Sequence, residues 1–494
     1  MTAGPPTLPD VPPGEPVAAP RRFDHECDVL VVGFGCAGAA AAYEAAAAGA
    51  RVIVLERADA PGGTSALSGG EIYLGGGTPV QKACGFDDTP GDMFAYLRAA
   101  LGPHADEEKL RLYCDGSLEH FRWLTDRGVT FTERLYGEPC WMPPTGDGLM
   151  WLGENAWPYR TLARPAPRGH RPPAPGFAGR LLMDALVSAA TSAGAACHTG
   201  TKAVNLALDV GGRVIGVLAT RYGERVAYRA RRGVVLATGG FADSDEMLEQ
   251  HAPALLGHAR LTSGGDDGGG IRMAAALGAA TRRMSSVEVA LAVVPGVVVR
   301  GMLVNAAGQR FLNEDVYPGL LSSAAVLRQP APLWAVVDEE GYEAVPEPER
   351  WGVRPRHIAG TVAELESALG MPAGALAATV ELYNRHAAGG EDPLFHKDAR
   401  WLRPLAPPFA ALDPRDGFWS AGRGTGVSGF TLGGLRTTPD GAVLRHSGRP
   451  IGGLYAAGRT TAGLHGEGYV SGTSLGDGTF FGRRAGRAAA VEGR

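Results

Sequence analysis

Residues 27–56 read CDVLVVGFGCAGAAAAYEAAAAGARVIVLE. The apolar run CDVLVV leads into Gly33, Gly35 and Gly38 of GFGCAG, an alanine-rich stretch follows, and RVIVLE closes the unit on Glu56. The order is strand, tight turn, helix, strand. In such a unit Gly33 permits the turn, Gly35 lets the backbone approach a pyrophosphate, and Gly38 lets the helix pack closely on the strand. The helix N-terminus then offers its amides to phosphate oxygens. Glu56 lies 21 residues beyond Gly35, where its carboxylate can accept both hydroxyl protons of an adenosine ribose. An acid at that point favours an unphosphorylated ribose, and so FAD or NAD over NADP.

The rest of the chain sets the frame around this unit. A length of 494 residues predicts about two to four domains. The 73 glycines and 36 prolines follow no repeat, and with 45% hydrophobic residues they exclude collagen, coiled coil and wholesale disorder. Lys and Arg total 47 against 52 for Asp and Glu, a net charge of -5 with no long basic block, which argues against a nucleic-acid partner. The longest apolar tract, near residues 39–55, is broken by Glu44 and Arg51, so no integral membrane segment is expected. Cys27, Cys36, Cys84, Cys114, Cys140 and Cys197 lack the CxxC spacing of a metal or dithiol site. They read as free thiols in a reducing, cytoplasmic setting, and no metal is expected. Residues 1–23, rich in Pro and Gly, read as a flexible tail; Arg21 and Arg22 run straight into a buried strand and not into an export signal.

Three later stretches share the glycine-rich style. PGGTSALSGGEIYLGGG, residues 61–77, offers Thr64, Ser65 and Ser68 as donors and Gly62, Gly63, Gly69 and Gly70 for close backbone approach to something large and flat. ARRGVVLATGGF ends an apolar strand at Thr238, Gly239 and Gly240, and IGGLYAAGRT ends another at Gly458 and Arg459. The expected organisation is a nucleotide domain over 24–283, a separate α+β substrate domain over 284–420, and a return to the nucleotide domain over 421–494. Residues 201–240 predict strands joined at Gly211, Gly212 and Gly223, an antiparallel meander returning to a parallel sheet. Within the first part, the Pro-, Gly- and Trp-dense excursion 136–179 is expected to cover a site or cross to another subunit. Its Trp141, Met142, Trp151 and Trp157 are candidate walls for an apolar substrate.

The ordered set GFGCAG, Glu56, PGGTSALSGG, VVLATGGF, GMLVNAAGQRFLNED and GLYAAGRTTAGLHGEGYVSGTSLGDGTFFGRRAG resembles the flavoprotein family of fumarate reductases and 3-ketosteroid dehydrogenases. The resemblance spans residues 25–490. It implies a Rossmann-like, glutathione-reductase-like α/β FAD domain with an inserted α+β catalytic domain, and substrate held between them against the isoalloxazine. It also implies flavin contacts from Ala37, Arg57, Val204, Gly472, Thr473, Ser474 and Leu475. With no His in the small-residue segment after Glu56, noncovalent FAD is the expectation. GGGTPVQKACGFDD, HAPALLG, GFTLGGLRTT and GYVSGTSLGDG are most similar to the branch of 3-ketosteroid Δ4-(5α)-dehydrogenases. That likeness implies oxidation of a saturated 3-ketosteroid to the 4-ene-3-one, with active residues at Tyr317, Tyr469 and Ser471.

The chemistry suits those residue types, because dehydrogenation beside a ketone needs a donor on the carbonyl oxygen, a base for the α proton and a hydride acceptor. Tyr469 is the expected carbonyl donor; Tyr317, through or beside Ser471, is expected to take part in removing the C4 proton. His465 and Glu467 depart from the steroid enzymes' smaller loop, and Glu467 facing the cavity would favour a hydroxylated substrate. The dicarboxylate reductases surround two carboxylates with Arg and His, whereas here only Arg300 and Arg310 remain near the NEDVYPG segment. Enone or enoate reduction on another substrate, as in the Δ1-dehydrogenase or fumarate-reductase branches, is the alternative function. A non-catalytic flavin-binding sensor is a remote one. An apolar substrate and an external electron acceptor complete the expected partners, with the acceptor's identity and the oligomeric state left open.

Overall fold

The computed structural model describes residues 11–416 and 426–492. Residues 1–10 of the N-terminal tail and the expected boundary between 420 and 421 lie outside the described residues. The strand His25–Val32 occupies the middle of a nine-stranded sheet, parallel to Val52–Leu55 on one side and to the long strand Glu224–Leu236 on the other. Pro450–Ala456 joins the far side of Glu224–Leu236, also in parallel. The three strands that end at Val32, Leu236 and Ala456 therefore run side by side and open their C-terminal ends to one place. In doubly wound sheets that is where ligands bind. Near-continuous burial from Val29 to Val32 fits strands covered on both faces.

The turn after His25–Val32 is made by the glycine pattern. Gly33 has φ of +98°. A Cβ on Gly38 would stand 1.9 Å from the Gly33 carbonyl oxygen, so the helix Cys36–Ala47 packs on the turn only because that position lacks a side chain. The long terminal helix Thr473–Val491 packs along it through small residues, which is how distant ends of the chain form one body.

Thr201–Leu208, Val214–Arg221 and Glu224–Leu236 form an antiparallel meander that feeds the parallel sheet. Part of the N-terminal tail differs from expectation. Val17–Ala18 pairs in parallel with Ala207 and Leu208, and Val17 is buried beside Ala207, Leu218 and Ala227. A free sheet edge, the packing of Val11, Val17 and Phe23, and Asn205 Nδ2 donating to the Pro12 and Glu15 carbonyls hold residues 11–23, which composition alone presents as a flexible tail.

Residues 302–412 carry a four-stranded sheet ordered Met302–Val304, Trp334–Asp338, Phe409–Leu412, His357–Ala359, with the helices Val362–Ala368 and Ala375–Ala387 packed near it. A second, smaller ribbon joins Val287–Leu291 to Val427–Thr431 in antiparallel register. The last part of the chain thus pairs one strand with Val287–Leu291 before it returns to the nine-stranded sheet. The excursion 136–179 folds back through short strands at Leu149–Met150 and Gly169–His170 onto Ile72–Tyr73, and brings Trp141 over the site. Among the described residues, no helix is long and apolar enough to cross a membrane.

Candidate active site

A cavity of about 1050 Å³ runs from the glycine turn at Gly33 to the ribbon at Glu288 and Ser428. At one end stand the turn residues Gly33 and Gly35, with Ala37 at the start of the first helix. That helix has no side-chain cap, and the Cys36 amide reaches Ser65 Oγ at 3.2 Å, so its N-terminal dipole faces the cavity. Glu56 is buried at the end of its strand, where Oε2 accepts from the Phe34 amide at 3.0 Å and Oε1 from the Ala58 amide at 2.8 Å. These bonds fix the carboxylate at the cavity edge and leave lone pairs for a diol. The terminal helix also starts uncapped at the cavity, at Gly472, and Ser474 beside it lines the wall with its hydroxyl next to that of Tyr469. Two helix N-termini and an anchored carboxylate fit a flavin dinucleotide.

Of the expected cofactor residues, Gly33, Gly35, Ala37, Glu56, Arg57, Gly63, Thr64, Ser65, Ser68, Gly69, Thr238, Gly239, Gly458, Arg459, Gly472, Ser474 and Leu475 line this cavity. The others do not reach its wall. Gly38 and Gly70 pack against backbone, and Gly240 abuts Thr431 and Arg459. Thr473 is buried with its hydroxyl on the Val470 carbonyl, and Val204 lines a neighbouring cavity with Asn205. Ala203, one residue earlier, lines the main cavity instead.

At the opposite end Tyr469 and Ser471 line the wall together. Tyr317, buried just behind, donates its hydroxyl hydrogen bond to Ser471 Oγ. Burial raises the Tyr317 pKa well above the ordinary phenol value, with the Ser471 hydrogen bond partly offsetting it. Burial likewise raises that of Tyr469, again partly offset by a neighbouring hydroxyl, that of Ser474. Both phenols are therefore proton donors at rest. The Tyr469 ring is held by His465, stacked at 5.6 Å, and by Phe430, perpendicular at 5.3 Å. His465 is buried, its Nε2 is 3.0 Å from Thr473 Oγ1, and burial with Arg283 and Arg459 nearby pushes its pKa down to about 3. It is a neutral wedge that orients Tyr469. Glu467 points away, half-exposed and 3.4 Å from His104, so its charge does not enter the cavity.

Trp141 and Met142 line the cavity, whereas Trp151 packs on Phe86 and Trp157 on His396. Two buried carboxyl groups in the wall escaped the motif reading. Glu71 lies inside the quoted small-residue segment, and Glu288 lies in the apolar strand VEVAL, where an acid between valines was the available signal. Burial raises the pKa of both, with Arg171 opposing the rise at Glu71. The two remaining arginines are engaged elsewhere. Arg310 binds Glu314 at 2.8 Å and Asp392 at 2.9 Å, and Arg300 lies 3.6 Å from Glu138 and over the Trp401 ring.

Comparison with known proteins places the chain. A family model described as FAD binding domain matches residues 28–475, and the chain belongs to that family. It is an FAD-dependent oxidoreductase acting on CH–CH groups, within the superfamily of fumarate reductases and 3-ketosteroid dehydrogenases, with an α/β FAD domain of the glutathione-reductase-like class and an inserted α+β catalytic domain. It is 30% identical over 557 residues to 4-oxocyclohexanecarboxylate 2-dehydrogenase of Sinomonas cyclohexanicum, covering 93% of this chain and 92% of that protein. It is 28% identical over 475 residues to a cytochrome-type fumarate reductase of Shewanella frigidimarina, covering 94% and 77%. The crystal structure of 3-ketosteroid-delta4-(5alpha)-dehydrogenase from Rhodococcus jostii RHA1, in complex with 4-androstene-3,17-dione, superposes with a TM-score of 0.92. Its sequence is 50% identical, covering 97% of this chain and 100% of that one.

Membership in this family upholds FAD binding but overturns the expectation of noncovalent attachment, because the family includes fumarate reductases with covalently bound FAD. The missing histidine excluded only a histidyl link in one segment, and a bond to flavin needs only some nucleophile within reach. Exchange of Glu56 for Gln is expected to weaken the hold on the dinucleotide roughly tenfold, since one charge-assisted bond to the ribose is lost. A fluorescence titration with AMP, a fragment that carries the ribose but no flavin, of protein produced under riboflavin starvation, so that the site is empty whatever the attachment, checks this.

Proposed function

We propose that the protein oxidises a saturated 3-ketosteroid of 5α geometry to the 4-ene-3-one. The observation that carries this reading is the hydrogen bond from the buried Tyr317 to Ser471, which lines the cavity wall together with Tyr469. The kinship with the Rhodococcus jostii enzyme, whose crystal structure holds 4-androstene-3,17-dione, points to the same substrate class. Tyr469, kept protonated by burial, donates to the 3-keto oxygen as negative charge develops there. Tyr317 takes the C4 proton while passing its own to Ser471, and the Ser471 hydroxyl, partly exposed in the cavity wall, releases its proton to solvent. A phenol with a raised pKa acts as a base only through such a relay. When bound, FAD supplies the hydride acceptor for C5. Trp141, Met142 and Phe430 give the apolar surface that fused rings require. A dicarboxylate is disfavoured because Arg300 and Arg310 are paired elsewhere. Free cysteines support a cytoplasmic setting.

Anaerobic mixing of holoenzyme with a panel of 5α-3-ketosteroids is expected to bleach the flavin and yield an enone. A panel that leaves the flavin oxidised, while another ketone or an enoate turns over, would remove the steroid assignment and leave the family intact.

A further inference from the structure

Glu288 lies between the two active tyrosines, although it comes from a different element than either. Across the ribbon its register partner is Phe430, whose ring packs on Tyr469. On the other side, Glu288 Oε1 and Tyr317 Cε1 both crowd the position a Cβ would take on Gly319, at 3.0 and 2.7 Å from it. The side chain is 3% exposed, lines the cavity, and leaves Oε2 without a hydrogen-bond partner. Ser428 Oγ on the paired strand is buried and unpartnered as well, and lines the same cavity. An unsatisfied buried carboxyl is destabilising, a cost removed when a bound molecule supplies the partner.

We propose that Glu288 is a catalytic residue of this site, donating a hydrogen bond from its carboxyl group to the substrate's carbonyl oxygen beside the Tyr469 hydroxyl. This rests on the ketone oxidation proposed above. Tyr317 and Tyr469 beside Glu288 are uncharged phenols, the strand Val427–Thr431 and the turn Pro253–Leu255 contribute no titratable side chain, and the only charge on the helix Pro318–Arg328 is at its far end. Arg459, over the Phe430 ring, is paired with Asp266, and Glu71 shares the cavity wall with its own pKa raised by burial. Burial raises the Glu288 pKa well above the usual carboxylate range, opposed by the Val289 amide. A tyrosine and a neutral carboxylic acid aimed at one oxygen form an effective oxyanion site in low dielectric. Glu288 keeps its proton throughout, since the C4 proton leaves through Tyr317.

Glu288→Leu and Glu288→Gln test this under anaerobic rapid mixing at saturating steroid and matched FAD occupancy. The Leu variant should reduce its flavin roughly 10²-fold more slowly. The Gln variant, whose amide retains a donor, should stay within about tenfold of wild type. The wild-type rate should fall at alkaline pH as the carboxyl ionises and loses its donor, and Glu288→Gln should lack that limb. A Leu variant within about threefold of wild type, an alkaline limb that persists in the Gln variant, or loss of an acidic limb in that variant would each overturn the donor role. A second readout needs no turnover: the infrared carbonyl stretch of bound 4-androstene-3,17-dione should lie lower in wild type than in Glu288→Leu. No Glu288-dependent shift overturns the inference. A shift in a protein that no steroid reduces supports the inference and counts against the proposed reaction alone.

Discussion

Replacing Tyr469 by Phe is expected to slow flavin reduction by about 10²–10³ while FAD content and steroid binding stay near wild type. The phenyl ring keeps its contacts with His465 and Phe430, so the packing of the loop survives. What is lost is one hydroxyl whose hydrogen bond strengthens only as charge moves onto the ketone oxygen. Removing one such donor costs about 2.7–4 kcal/mol of transition-state stabilisation. The loss should appear in the limiting rate and not in substrate affinity, because the interaction is weak in the ground state. Anaerobic stopped-flow measurement separates this step from the unidentified electron acceptor. A variant that reduces its flavin at the wild-type rate would remove Tyr469 as the carbonyl donor.

The other large effect concerns the support beneath the site. Asp88→Ala is expected to destabilise the protein by about 3–5 kcal/mol, the cost of leaving a buried cation without its partner. Asp88 and Arg168 are both completely buried, with Arg168 Nη2 2.6 Å and Nε 3.0 Å from the carboxylate. The same carboxylate accepts from the Gly76 amide and Gln81 Nε2, each at 2.9 Å. Arg168 Nη1 already lacks a partner, and without Asp88 the guanidinium keeps only the Arg164 carbonyl, 3.4 Å from Nη2, and the field of the buried Glu154. The pair is tied to the active site through backbone: the Leu74 amide bonds the Arg168 carbonyl, and the adjacent Tyr73 amide bonds the Gly472 carbonyl next to Ser471. Chemical denaturation should show the midpoint falling, with FAD content dropping alongside it. An unchanged midpoint would mean that the cavity relaxes around a free Arg168.

The nucleotide half was legible in the amino-acid sequence because its rules are local. A buried strand, a glycine turn with positive φ and an alanine-rich helix are set by residues within about 30 positions of one another, and Glu56 follows at fixed spacing. The small-residue stretches at 61–77, 238–240 and 458–459 announced close approach to a flat ligand by composition alone. The far end of the cavity has no such local signature. Tyr317, Tyr469 and Ser471 were indicated by family likeness, and only the folded chain sets the Tyr317 hydroxyl on Ser471, 154 residues away.

Tertiary structure alone decided which charges enter the cavity. In GLHGEGY, His465 and Glu467 look equivalent, yet one is buried neutral against Tyr469 and the other turns outward to His104. Glu288 reads as a misplaced acid in an apolar strand until the register with Phe430 sets it between two tyrosines. Likewise Val17 reads as part of a linker until an unpaired strand edge receives it. Sequence periodicity fixes which residues share an element. Whether a polar group is desolvated, and which partner it then meets, depends on chain segments hundreds of residues apart and is settled only when they pack.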